Sequence, residues 1–171
     1  SYSVTGVQTC ALPIWAVRNP GRDIPFAITP RLLMVHAFSH ALIHQLTIEC
    51  GYSTASLRER LYVNEEMAGV LIYTATPDSD GTLGGLQRRA MPDLLGPTVI
   101  SAVKSMRWCS SDPLCITGEI AAPDSHSVSS CHSCLMLPET SCELHHRFLD
   151  RALLVGDVAD YSIGFFKELL D

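Results

Sequence analysis

Apolar residues recur along residues 31 to 50 at the spacing of a helix with a wide buried face: Leu32, Val35, Ala41, Leu42, Leu46 and Ile48. Gly51 is a natural stop, so the pattern predicts a first long helix from Arg31 to Cys50. The period then changes to two. From Ser56 to Val63, Leu57, Glu59, Leu61 and Val63 point one way and Arg58, Arg60 and Tyr62 the other, as in a strand. Asn64-Glu65-Glu66 is a polar turn, and GVLIYTAT (69–76), β-branched and aromatic, predicts a nearly fully buried second strand. The two read as a hairpin. Glu59 on the inward side requires either a cationic partner, such as one of the histidines, or a register displaced by one. Helical spacing returns from Pro97 to Trp108, through Val99, Ile100, Val103 and Met106, with Lys104 and Arg107 near the end that favours cations. It returns again from Glu143 to Val155, through Leu144, Phe148, Ala152 and Val155. Residues 19–30 hold three prolines and read as extended. The predicted class is α+β: three main helices, a short sheet built on the hairpin, and a polar loop (116–130) ahead of the last helix.

Composition narrows the function classes. The 171 residues suffice for one domain with a real core, and 47% hydrophobic against 18% charged residues predicts folding over disorder. A net charge of −6 argues against a broad phosphate-binding surface. Gln87-Arg88-Arg89, the compact basic spot of the first hundred residues, reads as a solvated helix face. No apolar run approaches the ~18 residues of a membrane span, so no membrane partner is expected and cytoplasmic location is the default. Residues 4–14, VTGVQTCALPI, resemble a translated sequencing adapter. Residues 1–14 are therefore set aside as a leader, and Cys10 with them. The expected organisation continues with an extended lead-in at 15–30, a domain over 31–158 and the start of a further segment at 159–171. With no initial Met and an apolar GFFKELL before Asp171, the chain is expected to be a piece of a longer protein.

The chemistry gathers between Trp108 and Gly156, which holds Cys109, Cys115, Cys131, Cys134 and Cys142. Cys131 and Cys134 form a C-x-x-C pair, a spacing that lets one tight turn aim two thiolates at one ion. Cys109 and Cys115 flank Asp112-Pro113, a turn-forming dipeptide. Zinc takes four ligands, so one of the five thiols is spare, and His126 or His132 could substitute for a thiol. Disulfides fit poorly without a secretion signal. A thioredoxin-like pair should open a helix after a strand, whereas this pair sits in a Ser-rich loop. Cys142 at the start of the last predicted helix would have its thiolate favoured by the dipole. His36, His40 and His44 share one helical stripe. A second metal site there is conceivable, but packing at the core edge or bonding to neighbouring loops is the preferred reading, because no third ligand follows at a diagnostic spacing. The loop TPDSDGTLGGL (76–86) lacks the G-x-G-x-x-G and Gly-Lys-Ser signatures. Asp78 and Asp80 would repel an anion, so it reads as a tight turn.

CHSCLMLPETSCE followed by RFLDRALLVG, together with HAFSHALIHQLTIECGYSTASLRERLYV, resembles the C-terminal domain of the DrmB family of the DISARM antiphage system. That domain is similar in turn to a wider group of domains attached to helicases, which includes the zinc-binding domain of the mitomycin repair factor A helicase. The group pairs a cysteine cluster with a Leu-Asp-Arg or Leu-Asp-Lys helix, here Leu149-Asp150-Arg151. It commonly has Gly-Cys-Pro at the C-x-x-C pair and an Asn before that helix; this chain has Ser130-Cys131-His132 and His145-His146. The resemblance covers residues 31–156. It implies a non-catalytic zinc-binding domain that assists a helicase subunit (DrmA-like) on DNA in antiphage defence. Two other functions compete: a metal-dependent hydrolase or nuclease using His36, His40, Glu59 and Asp80, and a zinc-ribbon adaptor that binds only protein.

Overall fold

The structure, a computed structural model, describes residues 27–75, 85–120, 127–138 and 142–170. The expected leader, most of the lead-in, His126 and residues 76–84 of the glycine loop lie outside the described residues.

Helix α1, Pro30–Cys50, is the axis of the molecule. Thr29 caps it, its Oγ1 accepting from Leu32 N at 3.2 Å, and Pro30 occupies the first turn, where a missing N–H costs nothing. Gly51 ends it with φ 74°, a left-handed conformation that favours glycine. Leu33, Val35, Ala37, Ala41, Leu42, Ile43 and Leu46 are all buried, so α1 is enclosed on more sides than one apolar stripe requires. Ile48, assigned to that stripe, is 65% exposed on the last turn.

Strands β1 (Leu57–Val63) and β2 (Ala68–Thr74) pair antiparallel in the register Leu57↔Thr74, Glu59↔Ile72, Val63↔Ala68. Asn64 closes the turn, its Oδ1 accepting from Glu66 N (2.8 Å) and Met67 N (2.7 Å). Arg31 ties this turn to α1 through the carbonyls of Asn64 (2.7 Å) and Glu65 (2.6 Å). The alternation puts Leu57 and Glu59 inside, so the inward reading of Glu59 is correct. Strand β2 is not fully buried as expected: Leu71 and Tyr73 are exposed. A two-stranded sheet packs one face on α1, and the described residues place no layer on the other.

Helix α2 (Gly85–Arg89) is short, and α3 runs from Pro92 to Ser105. The expected start at Pro97 is corrected by five residues. Pro92 fills the favoured first-turn position, and Pro97 lies inside the helix at the cost of one backbone hydrogen bond. Glu49 at the end of α1 joins both helices, accepting from Thr98 Oγ1 at 2.6 Å and pairing with Arg89 at 3.3 Å. That contact uses half of the basic spot at Arg88-Arg89.

The last predicted helix is overturned over most of its length. Only Ala152–Val155 is helical (α4). Residues 142–151 run through turns and extended backbone, with left-handed φ at His145 (52°), His146 (58°) and Phe148 (63°). Apolar spacing alone could not reveal this, because Cys142, Phe148 and Leu149 are buried by contacts far away in sequence. After α4 the chain folds back, Phe165 N and Phe166 N donating to the carbonyls of Leu153 (2.8 Å) and Leu154 (3.1 Å). Gly156 and Gly164 permit this crossing: a Cβ on Gly164 would lie 2.5 Å from Gly156 N. The core falls into two clusters about α1, one with Val103, Met106, Leu135, Leu149 and Leu154 and the other with Leu57, Ala102 and Leu137, and Phe38 packs against both. Among the described residues no helix is long and apolar enough to cross a membrane.

Candidate metal centre

Helix α3 delivers Cys109 four residues beyond its end, where Asp112 shapes the loop. One Asp112 oxygen accepts from Cys109 N at 2.8 Å and the other from Ile116 N at 3.2 Å, bending the chain so that Cys115 returns toward Cys109. The C-x-x-C turn closes with Cys134 N and Met136 N donating to Cys131 O, both at 3.1 Å. The two pairs repeat one local device. The amide two residues on donates to the first sulfur, Ser111 N to Cys109 Sγ at 3.5 Å and Ser133 N to Cys131 Sγ at 3.4 Å.

These loops bring Cys109, Cys115, Cys131 and Cys134 together, all buried, with the four Sγ atoms within 4.8 Å of one another. Individual spacings are 3.4 Å (Cys109–Cys131), 3.7 Å (Cys115–Cys134) and 3.8 Å (Cys131–Cys134). Disulfide sulfurs would lie ~2.05 Å apart, whereas a zinc tetrahedron with ~2.3 Å bonds has edges of about 3.8 Å. The donor set therefore fits a closed four-thiolate zinc site. The thiols are uneven by themselves. Cys134 is lowered to about 5, first by the hydrogen bond from Cys115 and with help from Arg151, against its burial. Donating that bond, together with burial, pushes Cys115 well up, and burial raises Cys109.

Arg151 of the Leu-Asp-Arg segment stands behind this cluster. Its side chain is fully buried, donates to Met106 O at 2.9 Å and forms an ion pair with Asp112. Backbone bonds from Val128 N to Leu149 O (3.0 Å) and from Arg151 N to Ser129 O (2.9 Å) lay the segment beside the strand of chain entering the C-x-x-C turn. The segment thus clamps both cysteine loops. Its guanidinium would also offset the negative charge that four thiolates would leave on a divalent ion held there.

The fifth thiol, Cys142, lies in a different cluster with His36, His40 and Glu59. There His36 Nε2 is 3.1 Å from Cys142 Sγ, and both His36 Nε2 and His40 Nε2 are 3.5 Å from Glu59 Oε1. Burial would raise the Glu59 carboxyl, but His36 and then His40 outweigh it and hold it well below the usual range. Burial lowers His36 to about 4 against the pull of Glu59. The expected dipole-favoured thiolate at Cys142 is corrected: no helix starts there, and burial with the Glu59 charge pushes the thiol up to about 12. Of the remaining candidates, His132 is exposed and outside both clusters, His44 is half-buried and in neither, and His126, Asp78 and Asp80 lie outside the described residues. The reading of the histidine stripe as packing at the core edge or bonding to neighbouring loops describes His40, which bonds Leu135 O at 2.7 Å. The hydrolase reading joins His36 and His40 to Glu59, and Cys142 is the member that the sequence did not add. The one signal for that member was an unassigned thiol, 106 positions away from His36. A hydrolytic metal needs an open position for water and substrate, whereas the side chains of His36, His40 and Glu59 have no exposed surface.

The model of the family described as the MrfA Zn-binding domain matches residues 38–135. The DISARM protein DrmB of Bacillus paralicheniformis is 40% identical over 156 residues, 91% of this chain. The chain spans 27% of that relative's length.

Proposed function

This chain belongs to the MrfA Zn-binding domain family, and on that premise we propose that Cys109, Cys115, Cys131 and Cys134 hold one structural zinc. The observation that carries the reading is the buried four-sulfur cluster at tetrahedral spacing. When bound, the ion supplies cross-linking, not reaction chemistry: with four protein ligands no position is open. It fastens the loop after α3 to the C-x-x-C turn. The domain then acts as a rigid, non-catalytic module of a longer DrmB-like protein. The resemblance to the antiphage DrmB family and the relative's name support a place in that defence system, with a DrmA-like helicase subunit as partner and DNA reached through the complex. A net charge of −6 fits binding to a protein partner better than a broad DNA surface of its own.

Zinc content and partner binding test the two parts separately. Wild-type protein is expected to carry tightly held zinc, and C131S and C134S to lose one equivalent and the order of the 109–134 loop. Co-purification with the helicase encoded beside the full-length protein, with and without DNA, is expected for the wild type and lost in those variants. Full zinc content in both variants would overturn the ligand assignment. Zinc-dependent folding without any helicase binding would leave the metal reading intact and refute the partner.

A further inference from the structure

We propose that His36, His40, Glu59 and Cys142 form a second, separate metal site that binds zinc in a closed structural role. The assignment does not depend on the four-thiol reading, since no residue is shared.

The first argument is the pairing of lone pairs. His40 Nδ1 lies 2.7 Å from Leu135 O, and a carbonyl can only accept, so the ring carries its proton there. Nε2 is then a bare acceptor. It faces Glu59 Oε1 at 3.5 Å, and neither atom has a hydrogen-bond partner although both side chains are fully buried. Two acceptors turned toward one point in a dry interior are costly unless a cation lies between them. A shared proton would draw the pair to about 2.8 Å. The observed spacing suits two ligands of one ion: zinc bonds to nitrogen and oxygen of ~2.0–2.2 Å give tetrahedral edges of roughly 3.3–3.6 Å.

The second argument is completeness. One ligand atom from each of the four residues lies within 4.8 Å of every other, close enough for all four to reach a single ion. A carboxylate and a thiolate balance a divalent ion, and two neutral imidazoles add no charge, which suits full burial. A thiolate with two imidazoles selects zinc over calcium or magnesium, which prefer oxygen.

The third argument is the surrounding support. Metal-bound histidines commonly donate their second N–H to a carbonyl, as His40 does to Leu135, the residue after Cys134. Ser39 Oγ holds the other Glu59 oxygen, and His146 N donates to Cys142 Sγ at 3.2 Å. That last bond is made by one of the residues with left-handed φ, so the strained turn serves to aim the thiol. Only His36 Nδ1 is without such support. An ion here would join α1, β1 and the 142–148 turn, none of which contributes to the four-thiol site.

The test begins with unmutated chain, so that it does not depend on a variant that folds. Elemental analysis is expected to give two zinc ions per chain. X-ray absorption at the zinc edge is expected to give an average shell of about 2.5 sulfur and 1.5 nitrogen or oxygen neighbours. One zinc per chain in an all-sulfur shell would overturn the second site and leave the first. One zinc in a shell dominated by nitrogen and oxygen would support the second and overturn the first. Variants then assign the ions. E59Q, which keeps the shape of the side chain, and C142S are each expected to lose one zinc while C131S keeps that ion. Folded E59Q and C142S that both retain two ions would refute the ligand set.

Discussion

Replacing Arg151 with Met tests whether the Leu-Asp-Arg segment clamps the cysteine loops. Methionine fills much of the same space but removes the bond to Met106 O and the ion pair with Asp112. Breaking a fully buried ion pair by removing one partner costs about 3–5 kcal/mol. Asp112 is 19% exposed and keeps backbone donors from Cys109 and Ile116, so water and amides absorb part of that cost. The lost bond to Met106 O adds about 1 kcal/mol. A total near 3 kcal/mol follows, or a fall in thermal midpoint of roughly 6–12 °C for a chain of this size. The effect should reach the metal as well. Without the guanidinium the four thiolates are harder to form, so zinc should be released at a higher pH and held at least about tenfold more weakly. Thermal melts of R151M, D112N and the double variant, with chelator competition for zinc, supply the measurement. The two substitutions are expected to couple by about 2 kcal/mol, since each removes the same ion pair. Additive effects, or an R151M protein that melts and binds zinc like the parent, would show that the segment is not a clamp.

Single Cys109, Cys115, Cys131 or Cys134 to Ser variants should each lose the four-thiol zinc and melt well below the parent, while C142S keeps that ion; metal analysis of all five checks it. Burial raises the Asp150 carboxyl from 3.8 to about 6. The folded state therefore binds more protons than the unfolded one between those values, and stability falls as pH rises through that window. D150N should then stabilise by about 1–3 kcal/mol at pH 7.5 and by nothing below about pH 4, as read from denaturant midpoints. A gain that did not change with pH would contradict the burial argument. His145 is exposed and left-handed, so H145G should raise stability by about 0.5–1 kcal/mol, whereas H145V should lower it.

Local rules carried much of this structure. Thr29, Pro30 and Gly51 bound α1 through capping and backbone preferences that act within four residues. The period-two pattern of β1 placed Glu59 inside, and the turn at Asn64 set the hairpin register. The thiol cluster was visible because zinc loops need closely spaced pairs, and two such pairs lie within 26 residues of sequence. What failed were judgements that depend on distant partners. Apolar spacing at 143–155 suggested a helix, but those side chains are buried against α1 and α3 by a turning chain that left-handed residues make possible. Strand β2 looked wholly buried because composition cannot count the layers packed on a sheet. Setting the fifth thiol apart required knowing that Cys142 meets His36, a contact across 106 positions, and Arg151 meets Asp112 across 39. Sequence by itself determined the limits of α1 to within a residue, the hairpin and the presence of soft metal ligands, because those follow from neighbours along the chain. Only the tertiary structure sorted the ligands into two buried clusters, because the path of the chain around α1 decides which lone pairs face each other.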